Sequence, residues 1–139
     1  MRIYTLGYPG WTIEAVRSLL AQANALLVDV RLVPSSRFNP AFRAASLRKA
    51  LGDAYVCVSD WGNLNYKNDG PIQLRSFSGG LATVEGRLCG HDAVVLLCGC
   101  ADVNVCHRKV VAARLAETWA CPVEHLSRPS RDPDQGRLF

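Results

Sequence analysis

Three thiols, an imidazole and a guanidinium crowd into one short stretch, Cys98-Gly99-Cys100 and then Cys106-His107-Arg108. The apolar run Ala93 to Cys98 reads as a strand and Cys106 to Trp119 as a helix, so the cysteines fall at a strand end and a helix start. A helix N-terminus presents unpaired backbone N–H groups and a partial positive charge, which favours anions and lowers a thiol's pKa. Cys106 is therefore a candidate nucleophile or redox thiol, with Cys98 on the adjacent strand end and His107 as acid or base. Arg108 in the first turn opposes the helix dipole, and an anionic ligand held between it and the helix end accounts for its place. A phosphatase-like loop needs Cys, five residues, then Arg; counting from Cys98 reaches Asn104 and from Cys100 reaches Cys106, which excludes it.

A metal centre is the rival use of Cys98, Cys100, Cys106 and His107. Their spacing is not the common zinc pattern of two separated pairs, and sequence neighbours rarely converge on one ion from a helix start. The reading expects neither metal nor cofactor. Cys57, Cys89 and Cys121 are expected to be inert, and His91 and His125 to be surface or capping residues. Asp29 ends the apolar strand Ala25 to Val30, where it pairs with Arg31 or Arg37 or serves as a general base. Arg31, Arg37 and Arg108 are candidate ligands for an anionic group, and Ser35 and Ser36 either bind phosphate or make the turn. Tyr8, Trp61 and Tyr66 are loop aromatics able to stack on a base or sugar, or else to cover the core.

Strands and helices that alternate along the chain must position these groups. Arg2 to Gly7 reads as a strand, followed by a helix capped at Thr12 with Val16, Leu19, Leu20 and Ala23 on one face. Further strands are expected at Ala54 to Val58 and Val123 to Leu126. A short helix is expected from Ser46 through Leu51, and another along Leu81, Val84 and Leu88. Ser59 to Gly80 reads as a long loop of the kind that is usually functional. Unbroken apolar strands belong to a parallel sheet covered on both sides. The fold class is α/β, a mostly parallel sheet of about five strands with helices on both faces, a three-layer sandwich. Residues 1–126 form a single domain and 127–139 a flexible C-terminal tail. Ligands of such sheets sit beyond the carboxyl ends of the strands, where the groups named above lie.

The chain has 139 residues, 49% hydrophobic and 20% charged, with a formal net charge of +4, an ordinary globular composition. Its longest apolar run is too short to cross a bilayer, and the start at Met1-Arg2-Ile3-Tyr4 lacks the apolar region of an export signal, so a cytoplasmic location is expected. Six cysteines are read as reduced thiols in that compartment. Thirteen arginines against three lysines fit an anionic ligand, although a GC-rich genome gives the same bias.

Tyr4-Thr5-Leu6-Gly7, Leu27-Val28-Asp29-Val30-Arg31 with Pro34, Ser36-Arg37 and Phe42, then Leu96-Leu97-Cys98 and Cys106-His107-Arg108 resemble domain of unknown function 488. The similarity runs over residues 3 to 126. It implies an α/β fold and maps the family's motif positions onto Asp29, Arg31, Pro34, Arg37, Cys98, Cys106, His107 and Arg108. It supplies no activity. Typical members carry His near Tyr8 and an acidic residue near Cys100. If those groups move protons in relatives, this chain uses others or lacks the step.

The final residues Gln135-Gly136-Arg137-Leu138-Phe139 look like the Gln-x-x-Leu-Phe peptides with which bacterial replication and repair proteins dock on the DNA sliding clamp. A flexible tail delivering Gln135, Leu138 and Phe139 to a preformed pocket orders few residues on binding. The same residues could instead fold back on the domain. Two functional expectations follow. One is an enzyme acting on a nucleotide, nucleobase or nucleic acid through an Arg-rich anion pocket with a reactive Cys, a thiol-dependent hydrolase or transferase. The other is a non-catalytic nucleotide- or DNA-binding module recruited to the clamp. Neither involves a membrane.

Overall fold

Six consecutive apolar residues, Ala93–Cys98, are all buried because the strand they form has a core on each side. Val94, Leu96 and Cys98 belong to one core and Ala93, Val95 and Leu97 to the other. The protein is described by a computed structural model covering residues 1–67 and 70–127. The strands are β1 (Arg2–Gly7), β2 (Ala25–Asp29), β3 (Tyr55–Cys57), β4 (Ala93–Cys98) and β5 (Val123–Leu126), in the order β3-β2-β4-β1-β5. Every pairing is parallel. The helices are α1 (Ile13–Ala23), α2 (Ala44–Leu51), α3 (Phe77–Glu85) and α4 (His107–Trp119). Buried residues of α1 and α2 join the core on one face, and those of α3 and α4 the core on the other. The three-layer α/β sandwich expected from the pattern is the observed architecture.

The order of strands places the site. β4 lies between β1 and β2, and its register sets Gly7 against Cys98 and Asp29 against Leu97. The ladder continues one residue past the strand ends, with Tyr8 N donating to Cys98 O and Val30 N to Leu97 O, both at 3.0 Å. The chain leaving β2 runs to a helix on one face and the chain leaving β4 to a helix on the other. Between these diverging loops a crevice opens at the carboxyl edge, the switch point of the sheet.

Side-chain caps fix the starts of α1 and α3, and the starts of α2 and α3 differ from the pattern-based boundaries. Thr12 Oγ1 accepts from Ala15 N at 3.1 Å, as expected. α2 begins at Ala44 rather than after Ser46, because a 3-10 turn at Pro40–Phe42 feeds it and Ala44 N donates to Pro34 O. α3 begins at Phe77, inside the stretch read as loop, where Ser76 Oγ accepts from Gly79 N at 3.0 Å. Gly79-Gly80 disguised this helix start, since glycine lowers helix propensity. Here Gly80 is required by packing, because a Cβ would sit 2.2 Å from Trp61 Nε1. No helix among the described residues is long and apolar enough to cross a membrane. The tail from residue 128 lies outside the described residues, and with it Gln135, Leu138 and Phe139.

Candidate active site

The loop between β4 and α4 folds back on itself and gathers sulfur. Asp102 Oδ1 accepts from Asn104 N at 2.9 Å, opening a single 3-10 turn at Val103–Val105 that ends on Cys106, the extended N-cap of α4. The result brings the Sγ atoms of Cys98, Cys100 and Cys106 within 4.8 Å of one another. Two features hold the loop down. Arg108 donates through Nη1 to the Cys100 carbonyl at 2.6 Å. That carbonyl presses on Gly7, where a Cβ would meet it at 1.9 Å.

His107 closes the cluster. The bend at Cys106 lets both neighbours face inward, so His107 Nδ1 lies 3.8 Å from Cys98 Sγ and 4.0 Å from Cys106 Sγ. Its Nε2 is 2.7 Å from the Val30 carbonyl, which only accepts, so Nε2 carries the proton. Hydrogen bonds from Cys100 and Cys98 draw the Cys106 thiol well below the ordinary range, against the opposing effect of burial. For Cys98 the contact with Cys100 lowers the pKa, but its bond to Cys106 and burial outweigh this and push it up to about 11. Donation to Cys106 and Cys98, with burial, raises Cys100. Burial opposes charge on His107, yet the bonds to Cys106 and the Val30 carbonyl leave its pKa raised. Among the three sulfurs, these surroundings favour ionisation of Cys106 over that of Cys98 and Cys100.

Above it lies a cavity of about 400 Å³, lined by Cys98, His107, Tyr8, Arg31, Asn63 and Tyr66 among others. Tyr8 stacks on Phe42 with centroids 4.7 Å apart and planes 9° from parallel, and the Arg31 guanidinium stands 5.3 Å from its ring centre. Arg31 is locked by Asp29, with Nε to Oδ1 at 2.8 Å and Nη2 to Oδ2 at 2.6 Å. Tyr55 donates to the same Oδ2 at 2.6 Å. Burial opposes the Arg31 charge, and its bond to Asp29 more than restores it. The far wall is the chain after β3. Asn63 Oδ1 accepts from Asn65 N and Gln73 N, and Asn65 Nδ2 donates to Pro71 O at 2.7 Å, so this wall is braced internally.

The structure brings Cys98, Cys106, His107, Tyr8 and Arg31 together. It does not bring in the remaining candidates. Asp29 sits beneath the crevice, fully buried, with both oxygens committed to Arg31 and Tyr55, so it pairs rather than facing the cavity as a base. Trp61 is fully buried and donates to Phe77 O at 2.9 Å; it packs the core and offers no face for stacking. Ser36 serves the turn, its Oγ accepting from Asn39 N at 3.1 Å. Arg37 is exposed, its guanidinium 5.9 Å from the Phe38 ring, away from the crevice. Arg108 is buried and opens onto a different cavity, with Gly7, Asp102 and His125. The expected cluster of guanidinium groups is therefore reduced to Arg31, whose charge a carboxylate already offsets. Sequence reasoning gave Asn63 and Asn65 no role; their one signal was the Gly62-Asn63-Leu64-Asn65 run a few residues past the third strand.

The sequence profile described as Domain of unknown function DUF488 matches residues 12–115. The chain belongs to this family. The match begins before α1 and ends inside α4, so it includes β2, β4 and the whole sulfur loop that joins β4 to α4. Neither a curated protein nor a solved structure matches the chain. The family's description assigns no activity, and the chemistry rests on the geometry above.

Proposed function

We propose that this member of the family is an enzyme, a hydrolase or transferase, that acts on a nucleobase or nucleotide held in the crevice, with the Cys98–Cys106–His107 cluster as its reactive centre. The observation that carries the reading is that Cys98 and a tautomer-fixed His107 line the crevice at the carboxyl edge of the sheet, with the buried Cys106 sulfur 4.0 Å behind the imidazole. Buried cysteines that serve only packing do not need a thiolate-forming neighbour. The half-buried Tyr8 ring and exposed Tyr66 supply faces for a planar ring, and Asn63 and Arg31 supply polar edges. The ion-paired Arg31 fits recognition of a base edge or a single phosphate better than a polyphosphate.

A thermal-shift series with nucleobases, nucleosides and nucleoside monophosphates tests it, because any ligand of the native state raises the midpoint. The expected result is a rise with at least one of these classes, lost in Tyr8→Ala. Cys98→Ser and Cys106→Ser should each abolish turnover of the compound so found. No shift with any class, or full turnover by both serine variants, overturns the proposal. The pentapeptide ending in Leu138-Phe139 favours a second reading, a nucleotide- or DNA-binding module recruited to the sliding clamp, and truncation separates the two.

A further inference from the structure

We propose that Cys98, Cys100, Cys106 and His107 form a binding site for one soft divalent cation, zinc by preference, at the floor of the crevice. The inference shares with the preceding reading only the crevice and its sulfur cluster: an ion bound by all four groups takes the place of Cys98, Cys106 and His107 as free reacting groups, and it is read by metal binding without turnover.

The donor set comes first. Thiolate and imidazole ligands select zinc among the abundant divalent ions, whereas magnesium and calcium require oxygen. Three sulfurs already within 4.8 Å of one another need little movement to reach tetrahedral zinc. With zinc–sulfur bonds of about 2.3 Å, ligand sulfurs stand roughly 3.8 Å apart, so side-chain torsions close the gap without backbone change. His107 Nδ1, 3.8 and 4.0 Å from two of the sulfurs, is already near ligand spacing for the fourth position.

The outer contacts agree with the donor set. A histidine that ligates through one ring nitrogen commonly donates its other N–H to a carbonyl or carboxylate, which fixes the tautomer. His107 does this through Nε2 to Val30 O at 2.7 Å, leaving the Nδ1 lone pair aimed at the sulfurs. Charge balance agrees as well. Three thiolates and one zinc ion carry a net charge of −1. Arg108 is 2% exposed, its Nη1 is on the Cys100 carbonyl, its Nε has no hydrogen-bond partner, and among the described residues no carboxylate pairs with it. A buried cation without a counter-ion is costly. A complex of net charge −1 that includes Cys100, whose carbonyl Arg108 holds, supplies a nearby counter-charge, and the partial positive charge at the N-terminus of α4 favours the same negative complex. Cys98, Cys100 and His107 line the crevice, so an ion held there is within reach of what enters it.

Cobalt substitution of the full-length chain tests the proposal. After chelation and gel filtration, Co²⁺ titration should produce a sulfur-to-cobalt charge-transfer band and the strong visible bands of tetrahedral cobalt, saturating at one equivalent and bleached by zinc. Cys100→Ser should weaken zinc binding at least about tenfold, while Cys57→Ser, which removes a thiol outside the cluster, leaves it unchanged. If the cluster variants fold poorly, maleimide labelling of the wild-type chain replaces them: zinc should slow modification of the half-buried Cys100 but not of exposed Cys89. A titration lacking charge-transfer bands, or labelling at the cluster that zinc leaves unaltered, overturns the inference. Turnover by the metal-free chain would leave the proposed function standing without it. Stoichiometric zinc with no ligand from the nucleobase and nucleotide series would leave the metal site and remove the substrate assignment.

Discussion

Replacing Asp29 with Asn removes one charge while keeping nearly the same shape, and the structure says what that charge holds. Asp29 is fully buried, Arg31 is 6% exposed, and the two meet through paired bonds of 2.8 and 2.6 Å, with Tyr55 adding a third at 2.6 Å. At a charge separation near 4 Å and an effective dielectric near 20, the attraction is about 4 kcal/mol. Removing one partner of a buried pair leaves the other uncompensated and costs about 3–5 kcal/mol. A chain of this length has a total stability of roughly 7–20 kcal/mol, so Asp29→Asn should consume a large part of it. The melting temperature should fall by roughly 10 °C or more. Urea denaturation followed by far-UV circular dichroism measures the change as a shift in midpoint at constant slope. The double variant Asp29→Asn/Arg31→Met should recover at least half the loss, because no unpaired charge remains. A single-variant cost under about 1 kcal/mol, or a double variant no more stable than the single one, would refute the view that Arg31 depends on Asp29.

Other outcomes follow from the same geometry. Gly80→Ala sets a methyl group 2.2 Å from Trp61 Nε1 and should destabilise the fold by about 1–3 kcal/mol, read in the same denaturation assay. Gly7→Ala forces away the Cys100 carbonyl, which a Cβ would meet at 1.9 Å, so cobalt binding and ligand-induced thermal shifts should both fall while circular dichroism still reports an α/β fold. Deleting residues 135–139 should abolish capture on immobilised sliding clamp, read by pull-down against the full-length chain; undiminished capture would remove the clamp reading.

Strands Arg2–Gly7, Ala93–Cys98 and Val123–Leu126 agree with the sequence reading at both ends, and in Ala93–Cys98 the unbroken apolar run coincides with the fully buried strand. α3 was legible only in its second half, since Gly79 and Gly80 answer to Asp60 and Trp61 rather than to helix propensity. At the site, sequence order shows which residues share the carboxyl edge but not where their side chains turn. Arg31 follows Asp29 by two positions and is consumed by it, Arg37 points outward, and Arg108 turns behind the loop onto the Cys100 carbonyl. The sulfurs were different. Short side chains at a strand end and the next helix cap have little freedom to diverge, so Cys98 and Cys106 meet as the topology requires, and the bend at Cys106 swings His107 to the same side.

The Val30 carbonyl that holds His107 sits between Asp29 and Arg31, so one tripeptide orients both the imidazole and the guanidinium. The opposite bank, by contrast, comes from the chain between β3 and α3, cross-braced by its own asparagines. That bank can therefore vary, in length or in lettering, without altering the hydrogen bond that holds His107 or the pair that holds Arg31. Under the proposed function, grafting the corresponding stretch from a relative should change which compounds raise the melting temperature while leaving the sulfur cluster as it is.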